Sequence, residues 1–296
     1  RYLDATINNN ISTAVVLTNT KQGYAYSVTL QLERPFKNGL YVKAAYNFGE
    51  AKNITNAGSI AVGSWTGNPI GFDPNNAALA FADGDQRHRV IGALSYRKEL
   101  FNALALQVGI FYEGRNQSRF SYVYNGDMNG DGAFNNELIY VPTTASELNF
   151  QQYTSGSATF TVEQQEAAFE AYISQDEYLN SIRGGYAERN GFTLPWLNRM
   201  DLNFVVEPFF NVGGKRNSIQ LRADVLNFGN LLNSKWGVGQ QVINNRPLVA
   251  RGVNAAGEPV YRFANLGTNL LSSSYRYTNS LSDVWQMQIG IRYIFN

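Results

Sequence analysis

A two-residue alternation of apolar and polar side chains recurs along most of this chain. At its clearest, Trp285, Met287, Ile289, Ile291, Tyr293 and Phe295 alternate with Gln286, Gln288, Gly290, Arg292, Ile294 and Asn296. Successive strand side chains point to opposite faces, so this segment predicts a strand with one apolar face and one mainly polar or small one. One such strand would suit a soluble sandwich equally well. The pattern repeats, however, at Tyr24–Glu33, Leu40–Gly49, Arg87–Tyr96, Leu104–Glu113, Met200–Glu207 and Ile219–Val225, with a shorter run at Ser12–Leu17. Counted together, these predict about eight strands.

The connections sort by length. Short turns are expected at Pro35–Gly39, Leu100–Asn102 and Val212–Lys215, where Gly, Asn or Pro supplies turn geometry. Between them lie long loops, roughly 51 to 85, 118 to 196 and 229 to 282. A sandwich has no reason to alternate short and long connections, whereas an outer-membrane barrel has short periplasmic turns and long extracellular loops. The expected fold class is therefore all-β, a transmembrane antiparallel β-barrel, with its C-terminus in the periplasm. The middle loop also predicts a helix over Glu163–Ile182. Thr161-Val162-Glu163-Gln164 forms a capping box at its start and Gly184-Gly185 ends it. Phe169, Tyr172, Ile173 and Leu179 fall roughly on one face, which is expected to pack on neighbouring loops.

Composition agrees with a barrel. Charged residues make up 16% of the chain against about 25% in soluble domains, and aromatics reach 14%. No stretch approaches the roughly 20 apolar residues of a membrane helix, and the mean hydropathy is −0.28. Alternating lipid and lumen faces produce that combination. A net charge of +1 gives no bulk electrostatic case for a nucleic-acid partner. The absence of Cys removes thiolate metal sites and disulfides. The single histidine, His88, rules out two-histidine metal sites, and no hydrolase elbow or phosphate loop occurs. A His88 dyad with Asp83 or Asp85 is the one enzymatic alternative, and a plain rim residue explains His88 more simply. No catalytic residue is expected, and the substrate-binding residues are not legible.

One turn has the pattern of a cation site. Asp127, Asn129 and Asp131 place oxygens at every second position ahead of Gly132, as in a calcium loop, with the Ala133 carbonyl and Asn135 or Glu137 completing the set. An EF-hand would carry its closing Glu at the position of Leu138, so Glu137 is one residue early. The expectation is Ca²⁺, against a turn that is simply solvated. Lys43, Glu113, Asp201, Glu207, Arg222, Asp224 and Arg292 fall on the polar face and are expected to form a network lining the lumen.

Several motifs resemble the last strands of TonB-dependent outer-membrane transporters of the Oar-like branch, Bacteroidota type. They are Gly126-Asp127-Met128-Asn129-Gly130-Asp131-Gly132 with Asn136-Glu137-Leu138-Ile139-Tyr140-Val141-Pro142, then Tyr178-Leu179, Arg183-Gly184 and Glu188-Arg189-Asn190-Gly191. Pro195-Trp196, Asn198, Asp201, Asp224-Val225-Leu226-Asn227-Phe228 and Asn230-Leu231-Leu232-Asn233 continue the series, and Asp85-Gln86-Arg87-His88-Arg89 is also similar. The resemblance implies that residues 1 to 296 are the C-terminal portion of a barrel of about 22 strands. The plug and TonB box that precede such a barrel are not seen here, and the chain begins at Arg1 without a signal sequence, so a partial chain is expected. The implied function is energy-coupled movement of a large or scarce substrate across the bacterial cell outer membrane. The implied partners are outer-membrane lipid, the TonB complex through the missing N-terminal region, and a surface lipoprotein or other outer-membrane protein. The alternative is a passive porin or a small self-contained barrel serving as an adhesin or structural protein.

Overall fold

A computed structural model describes residues 14–16 and 18–295. It is mostly β, built on one antiparallel sheet of long strands: β1 (Tyr24–Lys37), β2 (Leu40–Asn53), β3 (His88–Leu100), β4 (Leu104–Arg115), β5 (Leu197–Val212), β6 (Lys215–Leu226) and β7 (Gln286–Ile294). They lie side by side in chain order, and a two-residue strand, Ala80–Phe81, pairs with the end of β2 as the eighth member. The run expected at Ser12–Leu17 falls partly outside the described residues. Ser12, Thr13 and Leu17 lie outside the described residues, as does Asn296, and Ala14–Val16 have no regular structure.

Antiparallel pairing sends the short turns to one end and the long connections, residues 54–87, 116–196 and 227–285, to the other. The turns follow backbone chemistry. Asn38-Gly39 and Gly213-Gly214 adopt positive φ at both positions, as a two-residue hairpin turn that matches strand twist requires. Phe101 and Asn102 do the same in the turn between β3 and β4. The strands run beyond the segments that alternation marked. Arg97-Lys98-Glu99 and Arg216-Asn217 carry no apolar signal, yet they extend the ladders of β3 and β6.

Register gives the sheet two unlike faces. One row runs through Val42, Leu94, Ile110, Leu202, Val225 and Met287, and the next through Leu40, Tyr96, Val108, Phe204, Ala223 and Ile289. The opposite face carries Tyr41, Ser95, Gly109, Asn203, Asp224 and Gln288 across the same strands. Among the described residues the apolar face is largely uncovered, Val225 being the buried exception. Val108 and Phe204, in the middle of the sheet, remain 44% and 41% exposed, and Ile289 on β7 is 77% exposed. Aromatics stand at both ends, with Tyr24, Tyr26, Tyr46, Trp196 and Trp285 toward the loops and Tyr96, Phe210, Tyr293 and Phe295 toward the turns. β1 and β7 are not paired with each other, so the sheet does not close among the described residues.

The hydrophobic core lies instead in the long loops. Its buried members, including Tyr122, Ile139, Phe169, Tyr172, Ile173, Leu179, Leu248 and Phe263, all come from the second and third loops. The expected helix is present and packs as expected. α1 (Val162–Gln175) opens with the Thr161–Gln164 capping box, and Phe169, Tyr172 and Ile173 are fully buried. It does not reach Ile182 as one helix. Asp176 is extended and ends α1, and its side chain caps α2 (Glu177–Ser181) by accepting from the Leu179 amide at 3.0 Å. The long loops also hold short helices at Ala61–Thr66 and Phe228–Leu232, where one helix was expected in all.

Candidate metal centre and the loop junction

The turn from Asp127 to Glu137 folds back on itself through its own side chains. Asp127 accepts from the Gly130 and Gly132 amides at 2.7 and 2.9 Å, Asn129 from the Asp131 amide at 3.0 Å, and Asp131 from the Ala133 amide at 2.6 Å. Carboxylate oxygens of Asp127, Asp131 and Glu137 thereby converge to within 4.8 Å of one another. Glu137 is 1% exposed, and both its oxygens are buried without a hydrogen-bond partner. Burial is the main cause that pushes its carboxyl above the usual range. The nearby Met128 and Glu137 amides offset this in part, without hydrogen bonds of normal geometry, while Asp127 and Asp131 add to it. Neither Asp127 nor Glu137 forms an ion pair among the described residues. Two carboxylates at this spacing repel by roughly 3 kcal/mol at an effective dielectric of about 20, so the arrangement favours a cation or a proton.

The six sequence-derived ligands do not all gather. Asp127, Asp131 and Glu137 do. Asn129 sits among them, but its amide nitrogen donates to the Phe72 carbonyl at 3.1 Å and to Asp131 at 3.2 Å. Ala133 is buried and its amide serves Asp131. Asn135 closes the turn instead. In the left-handed region at φ 64°, it accepts from the Gly126 amide at 3.1 Å. Asn136 was not singled out as a site residue, yet both its side-chain polar atoms are buried without a partner. Its place beside Glu137, at the head of the Asn136–Pro142 motif, was the available signal.

This turn sits where all three long loops meet. The first loop bridges to it in parallel at Ile70 and Glu137, with Ile70 donating to the Asn136 carbonyl at 2.8 Å and accepting from Leu138 at 2.6 Å. The third loop joins at Asn125, which donates to the Leu248 carbonyl at 2.8 Å and accepts from Ala250 at 2.9 Å. Other motif residues tie the same loops together. Arg189 is buried and donates to Asn53, while Asn190 reaches the Phe81 carbonyl and Asp83, both at 2.8 Å. Gly191 lies against the Tyr178 ring, where a Cβ would collide. Asp201 accepts from the Asn227 amide at 2.7 Å, and Asn227, at φ 50°, donates to the Asp283 carbonyl at 2.8 Å.

No family model matches this chain, and no curated protein or solved structure matches it either.

The remaining candidates are engaged separately. His88 Nδ1 bonds the Tyr46 hydroxyl at 2.7 Å, while Asp85 pairs with the buried Arg119 at 2.6 Å and Asp83 with Asn190. On the polar face the charges pair within the sheet. Glu207 is bound by Arg97 at 3.0 Å and Gln220 at 2.9 Å, Arg222 by Asp224 at 2.6 Å, and Glu113 by Arg89 at 2.7 Å. Lys43 lies 3.9 Å from Glu33. Arg292 lines a polar recess beside Arg222 and Asp224. A cleft of about 400 Å³ at the loop end is lined by Tyr112, Trp196, Trp236, Lys235 and Tyr277, an aromatic and cationic wall.

Proposed function

We propose that this sheet is a section of the wall of an outer-membrane β-barrel, its apolar face toward lipid and its polar ladder toward the lumen. The observation that carries the reading is the apolar face itself. Its rows cross β2 to β7 without interruption from Leu40 and Val42 to Met287 and Ile289, and Leu94, Val108, Phe204, Met287 and Ile289 along them remain exposed among the described residues. A water-exposed apolar surface of that extent is disfavoured by about 25 cal/mol per Å². Strands of nine to sixteen residues suffice for a tilted crossing, which takes about 9 to 11. Aromatics at both ends of that face, and the Trp196, Trp236 and Lys235 cleft, have the composition of an interfacial girdle.

With the motif resemblance added, the protein is proposed to be a TonB-dependent transporter of the Oar-like type. In this reading the long loops face outward and present the outer surface, and an energised inner-membrane complex opens the path through the lumen. The rival is a passive pore. The purified full-length protein in a planar bilayer in potassium chloride separates them. A plugged transporter is expected to show no standing conductance, and steady open conductance would favour the passive pore.

A further inference from the structure

We propose that Asp127, Asp131 and Glu137 hold a hard divalent cation of calcium's size, and that this ion is the clasp joining the three long loops. The ligand chemistry is oxygen only, which selects a hard cation. The carboxylate oxygens lie within 4.8 Å of one another, inside the span of two oxygens on opposite sides of a calcium ion, about 4.6 to 5.2 Å. The independent observation is Glu137. Its side chain is sequestered, both oxygens lack a hydrogen-bond partner, and one is aimed into the cluster. A fully buried carboxylate is not left unpartnered unless something absent from the polypeptide meets it.

The clasp follows from what each ligand's backbone touches. Glu137 is bridged to Ile70 of the first loop, and Asn129 reaches back to Phe72 of that loop. Gly126, just before Asp127, sits against Ala250 of the third loop. An ion that draws Asp127 and Asp131 onto Glu137 therefore fixes both ends of the turn and the two loops hydrogen-bonded to it. Without the ion, the Asp127 and Glu137 carboxylates repel each other across the turn. Site affinities of about 10⁻⁴ to 10⁻³ M suffice where calcium is plentiful.

The test uses the full-length protein in detergent, stripped with EDTA and then titrated with calcium alone. Calorimetry reads binding, and hydrogen exchange reads the loops. In the wild type, millimolar calcium is expected to slow exchange about tenfold or more at residues 70–72, 124–138 and 248–250 together. Glu137→Gln keeps the shape and removes the charge, so it is expected to fold, to keep the heat-modifiable behaviour of the barrel, and to lose the calcium response. Absence of binding and of protection in the folded wild type would overturn the proposal. So would a Glu137→Gln protein that responds as the wild type does. Protection confined to residues 124–138 would overturn the clasp. These readouts are independent of transport, so they stand or fall apart from the proposed function.

Discussion

Asp176 shows how much of the loop core rests on single polar side chains. It is 3% exposed, ends α1, caps α2, and accepts hydrogen bonds from the Tyr122 and Ser274 hydroxyls, each at 2.5 Å. Asp176→Ala would leave two buried hydroxyls without an acceptor and remove a helix cap, at a cost on the order of 3 kcal/mol. The expected outcome is faster hydrogen exchange across α1, α2 and residues 120–124, with the strands unchanged. The capping box at Thr161 was legible because Ser or Thr three residues before Glu or Gln is a local signal. The double use of Asp176 was not, since its hydroxyl partners lie 54 and 98 residues away. The same holds for the acidic turn. The spacing of Asp127, Asn129 and Asp131 showed in the sequence, whereas the tie of Asn135 to Gly126 depends on a backbone conformation that spacing does not reveal.

Among the elements, the long strands were legible for a plain reason: each has one largely uncovered apolar face, so a period of two survives through its middle, though not to the charged turn ends such as Arg97-Lys98-Glu99. The short strands within the loops, such as Ala158–Phe160 and Pro259–Phe263, pack in an irregular core and carry no such period. Their core residues, Phe160 and Phe263 among them, come from segments with mixed spacing, and only α1 announced its buried face. The two faces of β7 make a direct contrast. Ile289→Lys places a charge on the apolar face and is expected to destabilise by about 2 to 4 kcal/mol at mid-membrane depth. Gln288→Lys, one residue away, faces Asp224 across the ladder and is expected to cost far less. Refolding titrations of the full-length protein in lipid vesicles check the pair. Equal costs would contradict the assignment of faces.

For the whole molecule, the edges of β1 and β7, unpaired among the described residues, are the main consequence of the fold. Unpaired edges are a template for association unless further strands cover them. The 296-residue chain expressed alone is therefore expected to associate through its edges and to lack a heat-modifiable monomer on electrophoresis. A discrete monomer of that kind would show that these strands close by themselves. The central claim, that one face of this sheet meets lipid, is tested most directly by spin labels placed one at a time from Gln286 to Ile294 in the full-length protein reconstituted in bilayers. Collision with oxygen, which concentrates in lipid, should alternate with period two, high at Met287, Ile289, Ile291 and Tyr293. Collision with a water-soluble nickel complex should be high at the residues between. Alternation with the opposite phase, or none, would contradict the account.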